Sequence, residues 1–180
     1  VIVIDNFLPP AVRDAALCAP FVDWSAPDGE VYKRVALVDV PGLQQAIENV
    51  MGPVDMLGMG YRLNYGGELP NAAVHSDIGW GTHAAVVYLS DGPGGTAFWR
   101  HRATGAEAID VGDDALWVAV RDDWNDEASW EMTQLAEMKL GRGVIYESRL
   151  FHSRYPFPAF GAGPSDGRLV AVAFFTPKES

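Results

Sequence analysis

Ala84-Ala85-Val86-Val87-Tyr88-Leu89-Ser90, then Asp91-Gly92-Pro93-Gly94-Gly95, then Thr96-Ala97-Phe98 run in unbroken succession. The outer pieces are rich in β-favouring residues, and the Gly- and Pro-rich piece between them marks a turn. The same punctuation recurs from Met56 onward, at Gly66-Gly67, Gly112-Asp113 and Gly141-Arg142-Gly143. Short strands separated by such turns predict a mainly β fold, a sandwich or jelly-roll barrel whose interior can hold a metal and a small ligand.

Upstream the pattern changes. Val1 to Asp5 reads as a strand, Pro9 or Pro10 opens a helix running to Ala19, and Val31 to Val38 reads as a second strand. Pro41 starts another helix, with Leu43, Ile47 and Val50 or Met51 at near-helical spacing and Gly52-Pro53 as its stop. Both helices are expected to pack on one outer face of the sheet, which makes the class α+β. The segment Asp126 to Lys139 interrupts the strand pattern. Its Trp130, Gln134 and Met138 have partial helical periodicity, so a helix or an irregular insertion is expected there.

The chain of 180 residues, 48% hydrophobic and 21% charged, suits one domain with a substantial core. We expect a single domain over 1–180, with 1–55 as support and 56–180 as the barrel. No apolar run approaches the roughly 18 residues of a membrane span. The single cysteine, Cys18, excludes an internal disulfide framework, fits a reducing, cytoplasmic setting, and reads as a buried thiol. A net charge of −11 argues against attraction to phosphate backbones and so against nucleic acid as the partner. The densest acidic stretch, Asp122 to Glu127, reads as a solvated loop or helix start.

The residues that carry chemistry are His75-Ser76-Asp77 and, far downstream, His152 in Leu150-Phe151-His152. In an extended segment alternate side chains share a face, so His75 and Asp77 can hold one metal ion between them while Ser76 points elsewhere. Two imidazoles and one carboxylate on one face leave three coordination positions open, the ligand set of a mononuclear non-haem iron(II) centre. A His-x-acid tripeptide arises by chance about one time in three in a chain of this composition, so the surrounding order decides.

That order is Tyr61-Arg62-Leu63-Asn64-Tyr65-Gly66-Gly67 before the pair, the Tyr88-Leu89 run and Gly94-Gly95 after it, and Gly167-Arg168-Leu169-Val170-Ala171-Val172 beyond His152. From Tyr61 to Phe175 it resembles the 2-oxoglutarate- and iron(II)-dependent dioxygenases, most nearly their prolyl-hydroxylase-like branch, and Val1 to Pro10 resembles that group's opening strand. The resemblance implies a double-stranded β-helix of the jelly-roll, cupin-like kind, with the N-terminal helices packed outside. It implies Fe(II) on His75, Asp77 and His152, and 2-oxoglutarate with its distal carboxylate on Arg168, whose planar fork suits a carboxylate. Tyr65 and Tyr88 would be phenols able to donate to the 2-oxo acid. With O2 as co-substrate the implied reaction hydroxylates a C–H bond and releases succinate and CO2. An acid at position 77, where related halogenases carry a small residue, favours hydroxylation over halogenation.

This chain departs from the pattern twice. An insertion, Tyr155 to Gly167, separates His152 from Arg168, with Arg154 as the fallback base, and Val170 stands where Ser or Thr often adds a carboxylate contact. Trp80, Trp99, Arg100, Tyr155 and Phe157 fall where they can line a pocket mouth, and His83 and His101 are spare imidazoles. Three other classes compete with the oxygenase. They are a cupin-like metal-dependent hydrolase or isomerase, a non-catalytic jelly-roll binding carbohydrate or peptide, and a partner-binding protein using its acidic stretch.

Overall fold

The computed structural model describes residues 1–25, 31–70 and 73–178. In chain order the elements are β1 (Ile2–Ile4), α1 (Ala11–Leu17), β2 (Val22–Ser25), β3 (Val31–Ala36), α2 (Leu43–Met51), β4 (Val54–Asn64), β5 (His83–Tyr88), β6 (Gly95–His101), α3 (Asp114–Val120), β7 (Trp130–Glu137), β8 (Gly143–Glu147), β9 (His152–Tyr155) and β10 (Arg168–Pro177). Seven strands form one sheet in the order β1-β8-β5-β10-β4-β3-β2, and β7-β6-β9 form a second. Every pairing is antiparallel. The two sheets face each other as a double-stranded β-helix, the jelly-roll arrangement that the strand and turn pattern allowed and the resemblance implied.

Alternation along the strands separates two faces of the large sheet. Ala84, Val86 and Tyr88 of β5 join Val144 and Tyr146 of β8 and Val170 of β10 in the interior, against Phe98 and Ala136 of the small sheet. The intervening Ala85, Val87, Ile145, Leu169 and Ala171 face outward and pack with Val12 and Ala16 of α1 and Leu43 and Ile47 of α2. Each helix contributes an i, i+4 apolar pair, the spacing that places two side chains on one stripe. The N-terminal helices therefore cover one outer face of the large sheet. Cys18, at the C-terminal end of α1, lies off that stripe and is exposed, contrary to the expectation of a buried thiol.

Most of the segment expected as a helix or irregular insertion is instead β7, which pairs with β6 over its whole length, with one 3-10 turn, Glu127–Ser129, before it. A bulge opposite Phe98 and Trp99 shifts its register. Trp130, Met132 and Leu135 consequently pack in the cluster outside the small sheet, whereas Ala136 and Met138 turn into the barrel. The Gly112-Asp113 signal precedes a short helix, α3, whose N-cap Asp113 accepts the Leu116 N–H at 3.0 Å.

The Gly94-Gly95 turn seats β6 between its neighbours. Gly94 has φ +80°, and a β-carbon there would lie 1.9 Å from the Tyr155 carbonyl oxygen. Gly94→Ala should therefore destabilise the fold by about 3 kcal/mol, from left-handed strain and displacement of β9 together. Equilibrium denaturation would show it, and a loss below about 1 kcal/mol would contradict this account of the turn.

Candidate metal centre

His75 and His152 meet through their backbones. Each donates its N–H to the other's carbonyl, at 3.0 and 2.9 Å, in an isolated antiparallel bridge that joins the segment after β4 to the start of β9. The Asp77 N–H donates to the Ser148 carbonyl at 2.7 Å. The expected strand through His75-Ser76-Asp77 is thus one bridging pair followed by a loop, but alternation still brings both side chains to the same side. His75 and Asp77 converge with His152, their ligand atoms all within 4.8 Å of one another.

Two details fit these three residues to a cation. The His152 Nδ1 lies 2.9 Å from the Leu150 carbonyl and the His75 Nδ1 lies 3.3 Å from that of Ala73. A carbonyl can only accept, so each Nδ1 carries a hydrogen and each Nε2 is left to face Asp77, the orientation that metal-bound histidines are given by their outer partners. The His152 Nε2 is 3.1 Å and the His75 Nε2 3.8 Å from the carboxylate oxygens of Asp77. Burial works against protonation of His152, but the Asp77 charge and hydrogen bond outweigh it and raise its pKa. Burial likewise opposes ionisation of Asp77, yet the two imidazoles and Arg62 hold its pKa below the usual carboxylate range. Burial, with His152 beside it, pushes His75 down to about 4. A divalent cation in place of the proton shared by His152 and Asp77 would meet all three donors. The side chain of His75 keeps 35% exposure against 5% for His152, so the centre opens on the His75 side.

Deeper in the barrel stands Arg168, 6% exposed, at the start of β10 opposite Asn64. Its Nε is buried without a hydrogen-bond partner, and burial lowers its pKa to about 10. Tyr88 faces it electrostatically, and the Tyr88 hydroxyl bonds the Thr96 hydroxyl at 2.8 Å and donates to the Ala136 carbonyl at 2.9 Å. The structure thus gathers His75, Asp77, His152, Arg168 and Tyr88 into the interior. Tyr65 follows β4 with the opposite facing. Its ring packs against the helix-side cluster, with the Arg34 guanidinium 4.1 Å from its centroid.

The other sequence candidates divide. Arg154 enters the interior beside His152 but donates to the carbonyls of Phe157, at 2.7 Å, and Glu68. Trp99, Tyr155 and Phe157 pack outside the small sheet, and Arg100 is exposed and paired with Glu107 and Glu131. His101 is a satisfied core histidine between Thr104 and Asp123, at 3.0 and 2.9 Å, and His83 stacks on Phe175. Trp80 lies at the barrel opening, stacked on Phe174.

Two residues near the centre carried no assignment from the sequence. Tyr146 of β8 sets its ring 4.7 Å from that of His152. Its hydroxyl titrates well above the usual range because of burial, with Asp77 adding to the effect. Arg62 of β4 is buried close enough that its charge acts on both His75 and Asp77. Continuing the β8 alternation inward is the signal that would have found Tyr146, whereas the inward turn of Arg62 follows from the register of β4 against β10.

A family model matches residues 73–175, more than half of the chain. The chain belongs to the family of unknown function DUF6445. The region that defines the family holds His75, Asp77, His152, Arg154 and Arg168, and it begins after Arg62 and both N-terminal helices. No curated protein matches the sequence. Solved structures do. The non-heme alpha ketoglutarate dependent carbocyclase SnoK from nogalamycin biosynthesis aligns over 97% of this chain and 79% of its own, with TM-score 0.59 and 16% identity. EvdO2 from Micromonospora carbonacea var. aurantiaca, solved with 2-oxoglutarate, aligns over 99% and 87%, at 0.56 and 13%. A Pseudomonas putida prolyl-4-hydroxylase aligns over 99% and 92%, at 0.53 and 17%. This member of DUF6445 therefore shares the fold of those three proteins.

Proposed function

We propose that this chain is a 2-oxoglutarate- and Fe(II)-dependent oxygenase that hydroxylates a C–H bond of a small molecule, amino acid or peptide, releasing succinate and CO2. The observation that carries the reading is the convergence of His75, Asp77 and His152, with both Nδ1 atoms tied to backbone carbonyls, in a barrel that also buries an unpaired Arg168. Bound iron(II) with 2-oxoglutarate as the co-reductant would activate O2, the oxidant, with one oxygen atom going to succinate and the other to the hydroxylated product.

The chain's own residues place and protect those groups. His75, Asp77 and His152 offer one face of ligands and leave the other face open. The Leu150 and Ala73 carbonyls hold the imidazoles in the ligating tautomer. Arg168 waits deep in the interior with donors turned to no protein acceptor among the described residues, so a cosubstrate carboxylate would satisfy a group that is otherwise costly to bury. Tyr88, anchored across the barrel by Thr96 and Ala136, lines the same space. Val86, Phe98 and Val170 keep the interior apolar around the polar groups, which limits water at the reacting centre.

An anaerobic optical titration with iron(II) and then 2-oxoglutarate tests this. A saturable visible charge-transfer band is expected, absent in His75→Ala and requiring far more 2-oxoglutarate in Arg168→Ala. Tight iron binding without a band would assign the centre to a metal-dependent hydrolase or isomerase, and no metal binding would leave a binding protein.

A further inference from the structure

The cosubstrate uses one buried guanidinium, and the interior holds a second that it does not need. The side chain of Arg62 makes no hydrogen bond to any described residue, and its Nε is buried without a partner. Its guanidinium lies 5.2 Å from the centroid of the Tyr32 ring. On β4 it stands opposite Val170, one interior position along from the Asn64–Arg168 pair, and it is less enclosed than Arg168. Its charge reaches Asp77 and His75, so it lies close to the metal centre. Arg154, by contrast, is already held by two backbone carbonyls.

Burying a guanidinium without an acceptor is costly unless a ligand brings one. Even with a dianionic cosubstrate and the Asp77 carboxylate present, a divalent metal and three guanidiniums leave the pocket positive. From Tyr32 an aromatic wall continues to the opening, with Tyr32–Trp24, Trp24–Trp80 and Trp80–Phe174 ring centroids 5.7, 5.9 and 5.7 Å apart. Resting on the oxygenase reading above, we infer that the substrate is a carboxylate with an apolar body, its carboxylate taken by Arg62 and its body laid along that wall. Such an arrangement fixes the substrate's orientation to the metal by a single forked contact.

The test uses the full chain, loaded anaerobically with iron(II) and saturating 2-oxoglutarate, with acetate and benzoate as probes and acetamide and benzamide as uncharged controls. At saturation acetate should raise the melting temperature by about 3 °C and benzoate by more, the amides by nothing. Arg62→Met should lose both increments while its 2-oxoglutarate affinity stays within about threefold of the parent. It should also melt no lower than the parent in anion-poor buffer, where a structural arginine would cost stability on removal. Arg62→Lys, retaining charge without the fork, should keep a reduced increment and serves if the methionine variant fails to fold. Carboxylate increments that persist in Arg62→Met, carboxylates that act no better than amides, or benzoate that acts no better than acetate would overturn the inference. Loss of the 2-oxoglutarate band in Arg62→Met would also overturn it, by assigning Arg62 to the cosubstrate. Absence of the band in the parent protein would refute the oxygenase reading itself, and the substrate assignment with it.

Discussion

Asp77→Ala is expected to weaken iron(II) binding by about a thousandfold and to stop substrate-coupled formation of succinate. Asp77 is the one carboxylate of the three-residue centre, and the Nε2 atoms of His75 and His152 both face it. Removing one partner of a buried charged set costs about 3–5 kcal/mol, which corresponds to roughly a thousandfold in a binding constant. The remaining pair of imidazoles would hold a cation weakly and without neutralising it. Asp77→Asn separates shape from charge, because the amide fills the same space and offers one neutral oxygen. Its affinity should fall between those of the parent and the alanine variant. Competition with a chelator of known affinity, under anaerobic conditions, measures both. An Asp77→Ala protein that binds iron(II) within tenfold of the parent would remove the centre from consideration.

The second large effect is on the cosubstrate. Arg168→Met should weaken 2-oxoglutarate by roughly 10- to 100-fold, the value of about 1.5–3 kcal/mol for a hydrogen-bonded contact to a charged group. Iron binding should be unchanged, since Arg168 is not among the three ligands. The stability of the metal-free protein should hold or rise, because methionine spans much of the same apolar path without burying an unpaired charge. These three readouts together distinguish a binding arginine from a structural one, whose replacement would lower the melting temperature and leave 2-oxoglutarate affinity intact. The charge-transfer band gives the affinity, and thermal unfolding of the same preparations gives the stability.

The sequence made much of this legible because strong local signals agreed with the fold. Gly94-Gly95 lies where the backbone needs φ values few side chains tolerate, and Leu43 with Ile47 gives a helix one stripe to bury. His75 and Asp77 are two residues apart, so even a loop anchored by one bridge presents both to the same side. β7 was hidden for a definite reason. A spacing of four, as from Trp130 to Gln134 to Met138, is helical but also even, and therefore compatible with a strand. The bulge then sets Met132 and Leu135, three residues apart, on the same face and breaks the alternation that would have decided between them. Arg62 was illegible for the opposite reason. An arginine in a strand reads as a solvent-facing position, and only the register of β4 against β10 shows that this one turns inward.

The reciprocal backbone bridge between His75 and His152 gives the centre a mechanical meaning. The contact that aims the ligands also clasps the crossing segment to the small sheet, so metal retention and chain closure become one event. A cation at the three side chains would lock the clasp, and any fluctuation that lifts 73–77 from β9 would spill it. Amide hydrogen exchange at His75, Asp77 and His152 should accordingly slow in concert when metal is added, in a cooperative unit far from α1 and α2.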